Sequence, residues 1–347
     1  MNFKFINGLL DPDERIAYIN RKINACKENY RNVLFKDPAI GILNQLEERF
    51  NLIKNDIELW LTPTPPSEMI FMVTVENIVT FIDSNGCKEY ADQLMENIYK
   101  NIIPDFPILI GVDHSLSGGA IRALCKEYGH ENIRLIVFDS HTDFILPTIR
   151  CGLIHYDLEN NPNTKFSPYD PYIYNRPDSY NADSFLNYIS KELPPENIFL
   201  IGVSDYPPKI AEEINDERVK KYVEFYKSIE ESKVHIIKKD DIKKHFDDVC
   251  KIISNTSLPY TYISIDVDIC ANVSIKGARF LDYLGISHNE LYSLISCINK
   301  SKSKIIGVDI MEFDVYNAGS NIFGKIDRTY EIMAEVLRRI ILDKRRI

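Results

Sequence analysis

The 347-residue chain lacks several features that mark common classes of protein. It has no apolar run close to the roughly 18 residues that a membrane-spanning helix needs. Its short apolar start turns acidic at Asp11, which does not indicate a signal peptide. The seven cysteines are scattered, odd in number and never spaced as Cys-x-x-Cys. No glycine-rich phosphate loop, internal repeat or low-complexity segment is present. We therefore expect a cytoplasmic protein with reduced thiols.

Positive charge is also scarce. The chain has 41 Lys and Arg against 51 Asp and Glu, a net charge of −10. Nucleic-acid binders are normally basic, so we expect neither a nucleic-acid partner nor a membrane partner. With 45% hydrophobic and 27% charged residues, the composition excludes a disordered chain. The length suffices to bury a sizeable core, as one large domain or two smaller ones.

The hydrophobic pattern changes along the chain. Apolar residues recur at helical spacing within residues 12–60, and residues 67–100 also read as helical. The prolines of residues 62–66 separate these regions, because proline cannot continue a helix. Further along, short β-branched runs are separated by segments of helical length. The runs predicted as strands are 106–110, 133–138, 198–201, 234–237, 262–265 and 304–308.

Continuous apolar strands that alternate with helices are typical of a parallel sheet covered on both faces. The predicted fold class is therefore α/β, with three α/β/α layers around a mostly parallel central sheet. We expect residues 1–103 to form a helical region packed on a core of residues 104–347. Residues 156–182 carry four prolines and five tyrosines and read as a long loop. Loops beyond about 12–15 residues are uncommon and often functional.

Side chains that bind metals follow four of the predicted strands. They lie in residues 111–115 (GVDHS), 139–143 (DSHTD), 264–268 (SIDVD) and 309–312 (DIME). In open α/β sheets, ligands bind outside the carboxyl ends of the strands. All four segments are therefore predicted to meet at one edge of the sheet.

The spacing within these segments brings ligands together. Side chains at positions i and i+2 of a strand project to the same side, so Asp139 converges with His141 and Asp266 with Asp268. His114 comes from a neighbouring strand end, and Asp143 lies one step beyond His141, where the strand yields to a loop that can bend back toward the other ligands. The candidate metal ligands are His114, Asp139, His141, Asp143, Asp266 and Asp268.

This set predicts a site for two metal ions. Four aspartates balance the charge of two divalent cations, so that no buried carboxylate is left uncompensated. Oxygen ligands with some imidazole suit manganese, and two neighbouring ions can share an activated hydroxide. A single Asp-x-Asp after a strand is more often a helix cap or turn. The four motifs together, in order and all at strand ends, form a much more specific constellation.

The motifs resemble those of the ureohydrolase superfamily, the arginase and agmatinase group. Its pattern is Gly-Gly-Asp-His-Ser, Asp-Ala-His-x-Asp, Ser-x-Asp-x-Asp and Asp-x-x-Glu, and the resemblance covers roughly residues 104–340. It implies an arginase-like three-layer fold with about eight strands and two Mn²⁺ ions per chain. Asp139 and Asp266 would bridge the ions. Because the family often forms trimers or hexamers, the resemblance also implies a homo-oligomer.

The resemblance further assigns catalytic roles. Glu312 matches the glutamate that pairs with a substrate guanidinium, for which a carboxylate is the natural partner. His155 matches, with a one-residue gap, a histidine that shuttles protons. The implied reaction is attack of hydroxide on the guanidinium carbon, followed by collapse to urea and an amine. Asp143 or His155 would protonate the leaving amine.

Some positions depart from the family pattern. Val112 replaces the second glycine, and His155 is followed by Tyr-Asp instead of His-Gly. Ile145 and Cys151 stand near the places where arginases use Asn and Ser to hold the amino acid head of free arginine. A guanidino substrate without that head is therefore expected, either arginine inside a peptide or a small compound such as agmatine. The segment 156–182 would fit a wider entrance to the site, which could admit a bulky or peptide substrate.

Three alternatives remain at this stage. A zinc deacetylase of the same fold class binds one metal and would not need all six ligands. A formimino-group hydrolase would keep both metals and need a cation for a glutamate-like carboxylate, which Arg150 or Arg279 could supply. A non-catalytic arginase-like binding protein would be expected to have lost a ligand, and none is missing.

Overall fold

The computed structural model describes residues 2–46, 50–170 and 173–342. Within these residues, eight strands form one sheet in which all neighbouring pairs are parallel. They are β1 (Phe3–Gly8), β2 (Leu52–Ile53), β3 (Phe106–Gly111), β4 (Ile133–Phe138), β5 (Ile198–Val203), β6 (His235–Lys238), β7 (Tyr260–Asp266) and β8 (Lys304–Met311). From edge to edge, the order is β2-β1-β3-β8-β7-β4-β5-β6. A separate antiparallel hairpin consists of β9 (Asn321–Ile322) and β10 (Lys325–Ile326).

Helices cover both faces of this sheet. The described residues contain α1 (Ile16–Lys27), α2 (Pro38–Leu46), α3 (Val75–Asp83), α4 (Gly86–Asn101), α5 (Ser115–Tyr128), α6 (Pro147–Asn160), α7 (Phe185–Ile189), α8 (Glu217–Glu231), α9 (Lys239–Lys244), α10 (Phe246–Ser254), α11 (His288–Asn299) and α12 (Thr329–Leu342). Within the described ranges, no helix is both long and apolar enough to cross a bilayer.

Alternation along the strands creates two hydrophobic cores. In β1, Phe5 joins the core that includes α2, α11 and α12, whereas Ile6 joins the core that includes α4 and α5. In β3, Ile108 and Leu109 divide between the same two cores. Successive side chains of a strand point to opposite faces, so a strand that is apolar throughout contributes to both layers. The α/β/α fold class predicted from the sequence is thus confirmed.

The predicted strands do not include β1. This strand lies between β2 and β3 and pairs residue by residue with β3, from Phe3 with Phe106 to Gly8 with Gly111. Residues 1–103 therefore contribute strands to the sheet as well as helices. β1 has only six residues and lies before the region in which strands and helices alternate, so no such pattern reveals it. The boundary at residue 103 itself stays a prediction.

The long loop begins later than predicted. Helix α6 continues to Asn160, so residues 156–160 are helical and the irregular segment starts at Asn161. It leads to α7, which begins at Phe185, and residues 171–172 lie outside the described ranges. Pro162 is the first proline after Tyr156, and the helix ends just before it because proline cannot continue the hydrogen-bonded turn.

The expectation of reduced thiols is wrong for one pair. Cys250 on α10 and Cys297 on α11 form a disulfide, with their Cα atoms 5.5 Å apart. The packing of α10 against α11 creates this proximity between residues that are 47 positions apart in sequence. The other cysteines are free: Cys26, Cys87, Cys125, Cys151 and Cys270.

The four metal-motif strands are adjacent. β3, β8, β7 and β4 follow one another in the middle of the sheet, and each has one motif at its carboxyl end. The sheet order therefore gathers residues from four distant parts of the chain at one edge.

Candidate metal centre

The structure brings all six predicted metal ligands together at that edge. Their ligand atoms form two groups, and within each group all atoms lie within 4.8 Å of one another. One aspartate belongs to both groups, as a ligand shared between two neighbouring ions would. The first group is Asp139, His141, Asp266 and Asp268, and the second is His114, Asp139 and Asp143.

The second group contains buried polar atoms without hydrogen-bond partners. Nδ1 of His114 lies 2.9 Å from Oδ2 of Asp143 and 3.3 Å from Oδ2 of Asp139. Despite these distances, none of the three atoms has a hydrogen bond. Unsatisfied polar atoms are costly in a protein interior, and a cation between them would satisfy all three.

Hydrogen bonds on the far side of the ring fix how His114 faces this group. Oγ of Ser264 donates to Oδ1 of Asp309 at 2.7 Å, and Tyr262 donates to the other oxygen of Asp309 at 2.7 Å. Because the only hydrogen of the Ser264 hydroxyl is donated to Asp309, this hydroxyl can only accept from Nε2 of His114, which lies 2.9 Å away. Nδ1 is then left with a lone pair directed at the metal centre, an arrangement common for histidine ligands.

Backbone amides orient the first group. Oδ1 of Asp139 accepts from the amide of His141 at 2.7 Å, and Oδ1 of Asp266 accepts from the amide of Asp268 at 2.7 Å. The amide of Ser140 donates to Oδ1 of Asp268 at 3.0 Å. Oδ2 of Asp268 lies 2.8 Å from Nδ1 of His141. One oxygen of each carboxylate is thus held by the backbone, and the other faces the centre.

The electrostatics of the centre fit divalent cations. Burial raises the pKa of Asp143 well above its usual value, and the neighbouring carboxylate of Asp139 adds to this shift. Burial and the carboxylates of Asp268 and Asp139 likewise raise the pKa of Asp266. Buried carboxylates this close together are stable in their charged form only when cations compensate them. The residues present therefore fit a pair of divalent metal ions.

Two site residues adopt left-handed backbone conformations. Asp143 has φ of 53° and Glu312 has φ of 66°. Such conformations are uncommon outside glycine and concentrate at functional sites. At Asp143 the turn bends the chain back toward the metal centre, as the sequence predicted for the end of this strand.

Glu312 lies beside the metal ligands with one oxygen free. Its Oε1 accepts from the amide of His114 at 2.7 Å and lies 3.3 Å from Nη1 of Arg279. Its Oε2 is buried without a partner. Burial raises the pKa of Glu312 to about 8, against the lowering influence of Arg279. The side chain is therefore placed to bind a cationic group that approaches the metals.

Two connected cavities lead to this centre. The inner cavity has a volume of about 10 Å³, and the outer cavity about 680 Å³. They share Arg150, Ala182, Asp183 and Phe280, which form the neck between them. Nε of Arg150 pairs with Oδ2 of Asp183 at 3.1 Å across this neck. The remaining residues of the inner cavity are His114, His141, Asp143, Asp266 and Glu312.

The structure does not bring His155 to either cavity. This residue lies within α6, and its ring packs against Tyr174 with centroids 4.7 Å apart. The preceding residue, Ile154, lines the outer cavity instead. The helix turns His155 away from the neck, which accords with the gap in its match to the family pattern. Its role in proton transfer stays a prediction.

Arg279 does not fit the role predicted for it, and the predicted site lacks the residues behind His114. Arg279 is buried against carboxylates of the protein, with Nη1 3.1 Å from Asp113, so it is not available to hold a substrate carboxylate. Ser264 and Asp309 lie inside the quoted motifs, but only the pairing of β7 with β8 shows that they touch.

A parallel sheet with paired carboxylate and imidazole groups at its carboxyl edge defines a class of metal-dependent α/β hydrolases. The comparisons identify the family within this class. The Arginase family model matches residues 48–342, most of the chain, and the chain belongs to this family. The family comprises hydrolases that act on guanidino C–N bonds.

Individual relatives are distant. An arginase of Staphylococcus aureus is 23% identical over 237 residues, which cover 66% of this chain and 70% of the relative. An agmatinase of Bacillus subtilis is 20% identical over 255 residues, covering 74% and 67%. A solved arginase from Bacillus subtilis superposes with a TM-score of 0.58 at 16% identity, covering 98% of both chains. At such identities, the solved structure supports the fold alone.

Proposed function

We propose that this protein is a dinuclear manganese hydrolase that cleaves a guanidinium group to urea and an amine. The observation that carries the proposal is the sharing of Asp139 by two groups of buried ligand atoms beside Glu312. When bound, the two ions supply Lewis acidity and an activated water for attack on the guanidinium carbon.

The protein side chains perform the remaining steps. Oε2 of Glu312 is unpartnered and lines the inner cavity, so it can accept a hydrogen bond from the substrate guanidinium. Asp143 also lines this cavity, so its carboxyl group is placed to deliver a proton to the leaving amine. The residues of the neck border the path by which a guanidinium group would pass from the outer cavity to the inner one.

We propose peptide-bound arginine as the favoured substrate, ahead of small guanidino compounds without an amino acid head. The outer cavity has about 680 Å³, within the range that accommodates drug-sized ligands. Ile145 and Cys151 line it and offer no firm hydrogen bonds to an α-carboxylate. Lys165 and Phe166, from the long loop, also line it, which supports a role for that loop in holding a larger substrate.

The charges of the outer cavity support the same choice. Each of five cationic residues described in its lining pairs with a carboxylate that also lines it, so the α-carboxylate of a free amino acid would compete with protein carboxylates for these cations. Bringing a charged group into a site without partners costs several kcal/mol, whereas neutral peptide amides incur less penalty. The pairs are Arg15–Asp13, Arg150–Asp183, Lys165–Asp282, Arg176–Glu14 and Arg279–Asp113.

A formimino-group hydrolase is the second candidate, and Arg150 is the observation that favours it. This residue lies at the neck between the two cavities, where its guanidinium, although paired with Asp183, can also meet a substrate carboxylate. Agmatine as substrate would need no cation there. A non-catalytic binding role is disfavoured because all six ligand residues are present and close together.

The test is a product assay on the manganese-loaded protein. Four substrates are compared: free arginine, agmatine, an arginine-containing peptide blocked at both ends, and formiminoglutamate. Urea from the peptide at a kcat/KM at least tenfold above that for free arginine supports the proposal. Formamide from formiminoglutamate without urea from any guanidino substrate would establish the second candidate. Absence of any product, with two manganese ions bound per chain, would refute both.

A cytoplasmic location and a homo-oligomer stay predictions. Light scattering coupled to size-exclusion chromatography measures the mass in solution and so decides the second. A mass of about 40 kDa, the mass of one chain, would contradict it.

A further inference from the structure

Arg279 is a buried guanidinium that contacts Glu312. Its side chain is 3% exposed, and Nη1 lies 3.3 Å from Oε1 of Glu312 and 3.1 Å from Oδ2 of Asp113. Nη1 also donates to the carbonyl oxygen of Val112 at 3.0 Å. The backbone of Arg279 adds a second link, because its amide donates to the carbonyl oxygen of Glu312 at 2.9 Å. Both the side chain and the backbone of Glu312 are thus held by one residue.

The other end of the guanidinium meets the N-terminal segment. Nη2 of Arg279 lies 3.5 Å from Oδ1 of Asp11 and 3.7 Å from Oδ2 of Asp13. Nη2 of Arg15 donates to the carbonyl oxygen of Arg279 at 3.2 Å. Residues 11–15 precede the part of the chain that the family model matches, residues 48–342. Arg279 therefore connects a segment outside that match to the carboxylate beside the metal ligands.

The charges around Arg279 leave room for one more cation. Four carboxyl groups and three cationic side chains form a cluster around Arg279, so with every carboxyl group ionised the cluster has one negative charge in excess. Glu312 is the carboxylate of the cluster that lines the inner cavity, and its Oε2 is buried without a partner. The carboxylates are Asp11, Asp13, Asp113 and Glu312, and the cations are Arg15, Lys22 and Arg279.

We propose that Arg279 is a positioning residue. By pairing with Oε1 of Glu312, it leaves Oε2 as the oxygen that binds the substrate guanidinium. The inference rests on the proposed function. It assigns the N-terminal segment 11–15 a part in substrate binding, because Asp11 and Asp13 hold the far side of Arg279. A single flexible ammonium cannot replace this arrangement, since the planar guanidinium reaches carboxylates on both sides at once.

The test compares Arg279→Lys with Arg21→Lys in the manganese-loaded protein. Arg21 is a matched control: its guanidinium also ties the N-terminal region to the loop after β8, through Asp314 and Asn317, without contacting Glu312. We expect Arg279→Lys to raise the KM for the best guanidino substrate at least tenfold and to change kcat less than threefold. Manganese content should stay at two per chain, and Arg21→Lys should leave both kinetic constants within twofold.

A double variant separates positioning from a general structural role. If Arg279 acts through Glu312, then adding Arg279→Lys to Glu312→Gln should raise KM by less than twofold beyond the single Glu312→Gln variant. A tenfold rise in KM on adding Arg279→Lys to both the wild type and Glu312→Gln would overturn the proposal. A wild-type KM in the Arg279→Lys variant would also overturn it.

If Arg279→Lys does not fold, the Asp113→Asn variant, which removes one charged partner of the guanidinium, is measured instead. It should raise KM at least threefold, and an unchanged KM would overturn the proposal. Lack of turnover by the wild type would instead refute the proposed function itself.

Discussion

Nε2 of His114 lies 2.9 Å from Oγ of Ser264, a contact between residues 150 positions apart. The Ser264 hydroxyl passes its own hydrogen to Asp309, so this contact determines the tautomer of His114 and directs Nδ1 toward the metal centre. Strand β7, which ends at the metal ligand Asp266, therefore also supplies a group that orients a ligand from another strand end.

Ser264→Ala should weaken manganese binding about 10- to 100-fold, as is typical when the hydrogen-bond partner of a ligand is lost. Metal titration followed by calorimetry measures the change. Ser228→Ala, which alters an exposed hydroxyl on α8, is the control. Unchanged affinity in Ser264→Ala would show that Ser264 does not orient His114.

Asp139→Asn should remove most of the activity, by more than about 100-fold, because a neutral amide leaves the positive charge of two ions uncompensated. Asp266→Asn should have a similar effect. Elemental analysis should find fewer than two metal ions per chain in either variant. Asp248→Asn, at an exposed site on α10, controls for the substitution itself. A metal-stripped preparation with full activity would disprove the requirement for metal.

Glu312→Gln should lower kcat/KM for guanidino substrates while both metal ions stay bound. A hydrogen bond to a charged group contributes about 1.5–3 kcal/mol, which corresponds to a loss of roughly 10- to 150-fold. The amide oxygen of glutamine can still accept from the amide of His114, so the fold should persist. Kinetics and metal analysis on the same preparation provide the check. Loss of manganese would mean that Glu312 helps to hold the metal ions and that its assigned role in substrate binding is wrong.

Phe166→Ala should reduce kcat/KM for the peptide by roughly 2- to 12-fold, because an aromatic contact contributes about 0.5–1.5 kcal/mol. Agmatine does not extend into the outer cavity, so its turnover should change less than twofold. Tyr169→Ala, in the same loop but 91% exposed and not part of the cavity lining, is the matched control. Equal losses for peptide and agmatine would count against a role of this loop in substrate choice.

Manganese affinity should rise with pH. Burial lowers the pKa of His114, but the carboxylates of Asp139 and Asp143 outweigh this and raise it well above its usual value in the metal-free protein. Burial raises the pKa of Asp143 as well. These groups therefore hold protons that manganese must displace, and lower pH favours the protonated, metal-free form. Calorimetry in buffers of different ionisation enthalpy should detect proton release on binding. Affinity that is constant from about pH 6 to 8 would contradict this linkage.

Local features of the sequence predicted much of the fold and the metal ligands. The β-branched runs from residue 106 onward predicted strands β3 to β8, because a buried strand needs apolar side chains on both faces. Spacing of two residues predicted that Asp139 and His141 converge, since this follows from strand geometry alone. The short β1 escaped prediction because six residues carry too little pattern, and only its pairing with β3 identifies it.

The sequence by itself determined which residue types stand at the strand ends and in what order. Only the tertiary structure decided which of them touch. The meeting of Arg279 with Asp11, 268 positions away, the disulfide between Cys250 and Cys297 and the placement of His155 outside both cavities all depend on packing between distant elements. Local periodicity describes one element at a time, whereas these contacts depend on the order of strands and the packing of helices around them.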